Sequence, residues 1–351
     1  MLRLLRFYQP LLALKRSSSS TSKRPLEDAV AIRRQESAYY ARFSRKYPSQ
    51  IGPLSMEAVD RTTRYLTIRG LSHTQALRAI SHHVMITRYS PEMMERKINW
   101  LSNLGLSQDN INTIIVRQPS ILGSALEKHE NLVRWYTDHG VPKHKMVYVF
   151  KVFPGGVAFS LEKLNTKVEF FKGLGCENDQ IARILRMAPQ VLAYSVEKMQ
   201  AAVHYLEKLG VPSEQVPAIT TRVPQYLGLK TTRIKETVDT LDDMFGPMAG
   251  VQALISNSRI VMHKVSSLRR SYNFLLSVGY TKERLVQCMR FVTRSESRIL
   301  RPRVQFLKAQ GVDVVENVSW ILMPENQFKI KYSGYSSFFA RYITRPKKRR
   351  M

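Results

Sequence analysis

The chain is short of acid, of cysteine and of any long apolar run. Asp and Glu number 27 against 55 Lys and Arg in 351 residues, so the formal charge is +28. A charge of that size argues against small neutral ligands and predicts attraction to polyanions such as nucleic acid, ribosomes or an anionic membrane face. Only two cysteines are present, Cys176 and Cys288, and neither has a CxxC partner, which excludes a disulfide framework and a zinc finger. The adjacent pair His82-His83 points about 100° apart on a helix, with no third ligand at helical spacing, and reads as surface or packing histidine. There is no phosphate-cradling glycine loop, nucleophile elbow, zinc-hydrolase His pair or dinucleotide fingerprint, and Pro154-Gly155-Gly156 is too short to stand in for one. No catalytic residue, metal or cofactor is therefore expected. Equally, no stretch supplies the roughly 20 apolar residues that a bilayer span needs.

What is present is 44% apolar, enough for a real core. The acid-free ends carry half of the net charge. Arg3, Arg6, Lys15, Arg16, Lys23 and Arg24 precede the first acid, Glu27, and eight basic residues follow the last, Glu325. The opening stretch 1–25 is Arg-punctuated, Leu-rich and Ser-rich, the composition of an organellar transit peptide, mitochondrial in preference to chloroplast. Arg3, Arg6 and Pro10 interrupt it too often for a membrane helix, and no small-x-small site follows a clean apolar region as in a secretory signal. A basic linker is expected at 26–54, a repeat domain at 55–325 and a basic aromatic tail at 326–351.

Glycines end apolar segments at Gly70, Gly105, Gly140, Gly175 and Gly210, each 35 residues after the last, and then at Gly246, Gly279 and Gly311. Pro119, Pro154, Pro189 and Pro224 each follow a glycine by 14 residues. Two residue types with opposite backbone demands are locked in phase, so the repeat specifies geometry as well as hydrophobicity. After each glycine come helix-starting residues, as in Ser107-Gln108-Asp109, Glu177-Asn178-Asp179 and Thr281-Lys282-Glu283. A short helix follows, with apolar residues at i, i+3 and i+4: Ile111, Ile114 and Ile115; Met146, Val149 and Phe150; Ile181, Ile184 and Leu185. Proline then closes it, because it excludes the preceding residue from the α region.

A longer second helix is expected to start from Ser124, Ser160 or Ser195, with Ser124 and Glu127 forming a capping box. Its apolar spacing repeats as Leu161, Leu164, Val168, Phe171 and as Val196, Met199, Val203, Leu206, and Ile234, Val238 and Leu241 keep it in the next repeat. Glycine in the left-handed conformation ends it. The expected fold is an all-α solenoid of about seven units, each a helix, a proline break, a 3₁₀ turn and a second helix, stacked because one unit cannot bury its own apolar faces. Val84 stands where the first unit would have proline, and Arg259 where the fifth proline is due.

These units resemble those of the mitochondrial transcription termination factor (mTERF) family. The resemblance is carried by Leu-x-x-Leu-Gly helix ends such as Leu101 to Gly105, by the Ile-x-x-Ile-Leu-x-x-x-Pro-x-x-Leu core at Ile181 to Leu192, and by Arg298-Ile299-Leu300-Arg301-Pro302-Arg303 followed by Phe306-Leu307. Pentatricopeptide repeats share the period and the organelle. They place proline soon after the glycine, as Val141-Pro142 and Val211-Pro212 do, but the proline kept through four successive units lies 14 residues on. Tetratricopeptide repeats fit less well. The mTERF resemblance implies a curved left-handed superhelix whose positively charged concave face holds double-stranded DNA or structured RNA. It also implies a role in organellar transcription or its termination, RNA maturation, or ribosome assembly, without enzymatic activity.

Candidate phosphate contacts lie near the turns between helices: Arg88, Lys230, Arg233, Lys264, Arg269, Arg270, Arg298, Arg301 and Arg303. Tyr89, Phe159 and Tyr194 recur five residues after the proline position. They are read either as bases' stacking partners or, by the commoner use of repeated aromatics, as core. Lys347, Lys348, Arg349 and Arg350, with Tyr332, Tyr335, Phe338, Phe339 and Tyr342 upstream, suggest an RNA-binding extension, and the final basic run also resembles a nuclear localisation patch. The alternative to a nucleic-acid-binding regulator is a ribosome-associated scaffold, with ribosomal RNA or an assembly protein as partner.

Overall fold

The structure, a computed structural model, describes residues 56–344. The stretch 1–25 read as a transit peptide, the expected linker at 26–54 and the cations Lys347, Lys348, Arg349 and Arg350 lie outside the described residues. Among the described residues all regular structure is helical. The chain forms two compact bodies, one reaching to Gly123 and one starting at Ser124.

The first body holds α1 (Met56–Ile68), then α2 (His73–His82), a 3₁₀ segment at Val84–Arg88 and α3 (Pro91–Asn103), then α4 (Gln108–Arg117) and the 3₁₀ segment Pro119–Leu122. The second opens on α5 (Leu126–Asp138). Two repeats follow, α6 (Met146–Val152) with Pro154–Ala158 and α7 (Leu161–Gly173), then α8 (Asn178–Met187) with Pro189–Ala193 and α9 (Val196–Lys208). Next come α10 (Val216–Arg222), Pro224–Gly228 and α11 (Thr231–Phe245), and then α12 (Ala249–Ser256), Ser258–Met262 and α13 (Val265–Val278). The seventh repeat is α14 (Lys282–Gln287), Met289–Thr293 and a π-helical turn at Glu296–Leu300 that runs into α15 (Arg301–Ala309). Short helices α16 (Ser319–Leu322), α17 (Glu325–Lys331) and α18 (Tyr335–Thr344) follow.

All eight punctuating glycines have φ between 71° and 118°, where a side chain is strained. At seven of them the next amide bonds back to the carbonyl five residues before it, as Leu106 does to Leu101, Cys176 to Phe171 and Val211 to Leu206, which closes the helix end. Gly246 differs. The preceding helix, α11, is two residues longer than α7 or α9, and the Asp242 carboxylate takes the Gly250 amide at 2.8 Å to make the turn. The following repeat is correspondingly short, so its 3₁₀ segment starts at Ser258, not at Arg259 as counted from the period.

The prolines behave as expected, each opening a 3₁₀ segment, with the preceding residue near φ −140°: −139° at Gln118, −134° at Phe153, −142° at Ala188 and −146° at Val223. His83, Asn257 and Cys288 adopt nearly the same angles ahead of Val84, Ser258 and Met289. Proline favours the break, and the packing of the repeat imposes it where proline is missing.

Ile111, Ile114 and Ile115, Met146, Val149 and Phe150, and Ile181, Ile184 and Leu185 are all buried, as are Leu164, Val168 and Phe171 and the matching Met199, Val203 and Leu206. Leu161 does not follow the pattern: it is 42% exposed, because the first helical position precedes the buried stripe. The Ser124–Glu127 capping box is not formed either. α5 starts from Ala125 without a side-chain cap, while Ser160 and Ser195 do cap α7 and α9. Register explains the difference, since Ser124 is 35 residues before Phe159 and occupies the aromatic slot, one residue short of the cap.

Within each body the repeats stack like on like. In the first, α2 packs on α4 and the two 3₁₀ segments meet; in the second, α8 packs on α10, α9 on α11 and α11 on α13, and successive 3₁₀ segments touch. Polar bridges tie neighbours together. His82 Nδ1 lies 2.8 Å from the Val116 carbonyl, Arg222 donates to the Ile255 carbonyl at 2.5 Å, and Trp135 Nε1 donates to Asn165 at 2.7 Å. His82 is thus an exposed histidine tied to the next repeat. Cys176 is buried and Cys288 half-buried, both free thiols, and burial pushes Cys176 up to about 11.

The segment after residue 325 is not a separate tail as far as it is described. Phe328 and Tyr335 are fully buried, their rings 4.6 Å apart, and Phe306 of α15 lies 5.3 Å from Tyr335. Tyr332, Phe338, Phe339 and Tyr342 extend this aromatic cluster at its half-buried margin. Arg303 locks it. The side chain is 1% exposed, donates to the Trp320 and Met323 carbonyls at 2.7 and 2.8 Å, pairs with Glu325 at 2.8 Å and lies 4.1 Å over the Phe328 ring.

Candidate nucleic-acid interface

The expected contact residues divide into three groups. Arg88, Lys230, Lys264, Arg270 and Arg298 are exposed, at the ends of 3₁₀ segments or the first turns of second helices. A second group is exposed or half-buried but engaged. Arg233 pairs with Glu236 at 3.2 Å and donates to the His263 carbonyl; Arg269 pairs with Asp243 at 2.9 Å; Arg301 pairs with Glu296 at 2.5 Å and covers the Phe274 ring at 4.8 Å. Arg303 stands alone, enclosed by the C-terminal helices. It is a correction to the expected set, because a guanidinium only 1% exposed and committed to two internal carbonyls and a carboxylate is shut away from a phosphate at the surface.

The repeated aromatics are half-buried between repeats. Tyr89 lies on Gly123 and Tyr194 on Gly228, each so close that a Cβ on the glycine would fall 2.2 or 2.3 Å from the ring. Tyr89 also bonds His83 at 2.6 Å, and burial raises its phenol above its ordinary value. Phe159, which has Ala193 in the register position of those glycines, leans on Phe153 at 5.7 Å. These half-buried rings pack between repeats.

Four residues further along each repeat, at the third position of the second helix, lies a column that the turn-centred reading passed over. In the second body it runs Lys128, Lys163, Lys198 and Arg233, spaced by 35 residues each time, and the three lysines are exposed. Each follows the aromatic slot by one helical turn, so that Lys198 Nζ lies 5.0 Å from the centre of the Tyr194 ring. Counted from the start of each 3₁₀ segment, the same two slots hold His263 and Ser267 in the sixth repeat and Arg294 and Arg298 in the seventh.

Those last four residues line one hollow of about 400 Å³, with Arg270, Ser271, Ser295, Glu296 and Ser297 also on its wall. Arg294 is held from two sides: its carbonyl accepts from Ser271 at 2.7 Å and its Nη2 donates to the Leu322 carbonyl at 2.7 Å. Its Nε is buried with no hydrogen-bond partner. Desolvation, with Arg303 and Arg290 nearby, lowers its affinity for its proton. Burial likewise keeps the His263 ring below its ordinary value, so it contributes no positive charge at neutral pH. A neighbouring hollow of about 560 Å³ shares Arg270, Glu296 and Ser297 and adds Phe274 and Arg301.

The mTERF family model matches the chain twice, over residues 29–206 and 198–319. The chain belongs to the mTERF family. The mTERF matches together cover the repeats of both bodies, and the family assigns nucleic-acid binding to such repeats and, in general, an organellar setting. A comparison with curated proteins found no match. The mTERF match ends at residue 319, so Trp320, Met323 and Glu325, the partners of Arg303, lie beyond it, as do α17 and α18. No helix among the described residues is long and apolar enough to cross a membrane. Of the residues missed from sequence, the lysine column carried a visible signal, the 35-residue spacing itself. Arg294 carried none, because its burial depends on Leu322 and Ser271 arriving from other elements.

Proposed function

We propose that this mTERF protein binds nucleic acid along the lysine column of the second body and so acts in organellar gene expression, the mitochondrion being the expected setting. The observation that carries this reading is the column itself. Lys128, Lys163, Lys198 and Arg233 stand at equivalent positions of stacked repeats, and a regular row of cations suits a ligand with regularly spaced charge. The exposed Arg270 and Arg298 continue the positive surface into the last two repeats. Double-stranded DNA and structured RNA both fit, and control of transcription or its termination, or RNA maturation, follows from which is bound. A ribosome-associated scaffold is the second reading, and the grouping of the C-terminal aromatics about Phe306 and Phe328 weighs against it.

Fluorescence anisotropy of the full chain with duplex DNA and with a structured RNA, over a salt series, tests the reading. Affinity is expected to fall steeply with salt, and replacing Lys128, Lys163 and Lys198 together by Gln should flatten the log–log slope by about 0.7–0.9 per lost phosphate contact. Binding indifferent to salt, or a slope that the triple substitution leaves unchanged, would overturn it. Crosslinking and sequencing in isolated organelles then separates DNA from RNA.

A further inference from the structure

We propose that the hollow between the sixth and seventh repeats is a phosphate-binding pocket that takes one phosphate of a nucleic-acid strand together with its sugar. The inference rests on the nucleic-acid reading above and deepens it. The lysine column offers exposed, solvated charges that track a backbone, and the hollow offers something different: a half-open recess with one arginine held at its wall and two more on its exposed side. Arg270, Arg294 and Arg298 converge on it, and none of the three is paired with a carboxylate among the described residues. Glu296, the one carboxylate on the wall, is already neutralised by Arg301 at 2.5 Å. Ser267, Ser295 and Ser297 add hydroxyls at the rim, Ser267 already accepting from Arg270 at 3.3 Å.

Arg294 is the centre of the argument. A partly desolvated cation without a counter-ion is costly, and its buried Nε has no acceptor within the chain. The Ser271 bond fixes the Arg294 backbone and the Leu322 bond holds its guanidinium, which opposes the side chain swinging out to water. A phosphate in the hollow supplies the missing negative charge and acceptor oxygens for Arg294, with Arg298 and Arg270 closing from the exposed side. A volume of about 400 Å³ admits a phosphate and its ribose and falls at the small end of ligand pockets. The pocket sits where the aromatic slot and the cation slot are both arginine, so it ends the row that begins at Lys128.

The test is calorimetric titration of the full chain with inorganic phosphate, with a trinucleotide bearing only internal phosphodiesters, and with the same trinucleotide carrying a 5′-phosphate. One-to-one binding of either trinucleotide is expected, weakened about tenfold by Arg298→Gln or Arg270→Gln and retained in large part by Arg298→Lys. Binding of the internal diester assigns the pocket to the strand backbone, and binding only of the 5′-phosphate assigns it to strand ends. Arg298 and Arg270 are exposed, so neither substitution threatens folding, and the ligand-induced rise in Tm at a fixed ligand concentration should shrink in both. Absence of binding by every probe, or affinity unchanged in Arg298→Gln, overturns the pocket. If long nucleic acid still responds to Lys163→Gln, the column survives that failure; if a trinucleotide binds but long nucleic acid shows no salt slope, the pocket survives and the broader reading fails.

Discussion

The repeats from α5 to α10 and the stretch from α13 to α18 belong to the same compact body but are held together by different means. The first group relies on recurrence: glycine ends, proline-initiated 3₁₀ segments, serine caps on α7 and α9, and apolar columns buried against the next copy. The second has no proline at its 3₁₀ segment, enters α15 through a π-helical turn, and is closed by side chains reaching to distant carbonyls: Arg294 to Leu322, Arg303 to Trp320 and Met323, Tyr280 to Val314. Where the repeat is regular, its cations form a row of solvated side chains. Where it breaks, arginines are drawn inward, one to lock the end of the fold and another to line a hollow. Periodicity gives a surface suited to a polymer, and the departure from it builds an individual site.

The largest expected effect breaks the irregular end. Arg303→Ala leaves two carbonyls without their donor and removes the cation from the Phe328 ring, and should cost about 3 kcal/mol. Urea unfolding followed by tryptophan fluorescence should then show Trp320 released before the helical signal of the regular repeats is lost. An unshifted, single transition would mean that the C-terminal helices are not held by this residue.

The regular repeats are probed by Gly228→Ala, which drives a Cβ to 2.3 Å from the Tyr194 ring and should cost about 2 kcal/mol by overpacking. Tyr194→Ser in the same chain should recover most of that loss, because it recreates the Ser124 and Ala158 combination found at the same register positions in the preceding repeats. Thermal melts of the two single variants and the double variant measure the coupling, and strictly additive losses would dismiss the ring-on-glycine contact. The smallest effect separates two serines that look alike in sequence. Ser160→Ala should lose about 1 kcal/mol with its cap on Lys163, and Ser124→Ala only a few tenths, read from the same melts.

Much of this was legible beforehand, for identifiable reasons. Glycine at φ near +100° and proline after a residue near φ −140° are local backbone demands, satisfied by residue type alone, so helix order and breaks could be read directly. The misreadings came where register decides. Ser124 falls one residue short of the cap, and Leu161 sits one position ahead of the buried stripe; the slipped fifth break at Ser258 follows from the shortened stretch between Gly246 and that break. Arg298, Arg301 and Arg303 stand in one short motif, yet end up exposed, ion-paired and buried respectively.

The amino-acid order by itself therefore determined the all-helical repeat, its period, its punctuation and the excess of positive charge, since each follows from local backbone preference or from composition. The tertiary structure alone decided which cations remain available. Whether an arginine meets water, a carboxylate or a buried carbonyl depends on which elements pack beside it, and for Arg294 and Arg303 those neighbours lie 17 to 28 residues away along the chain.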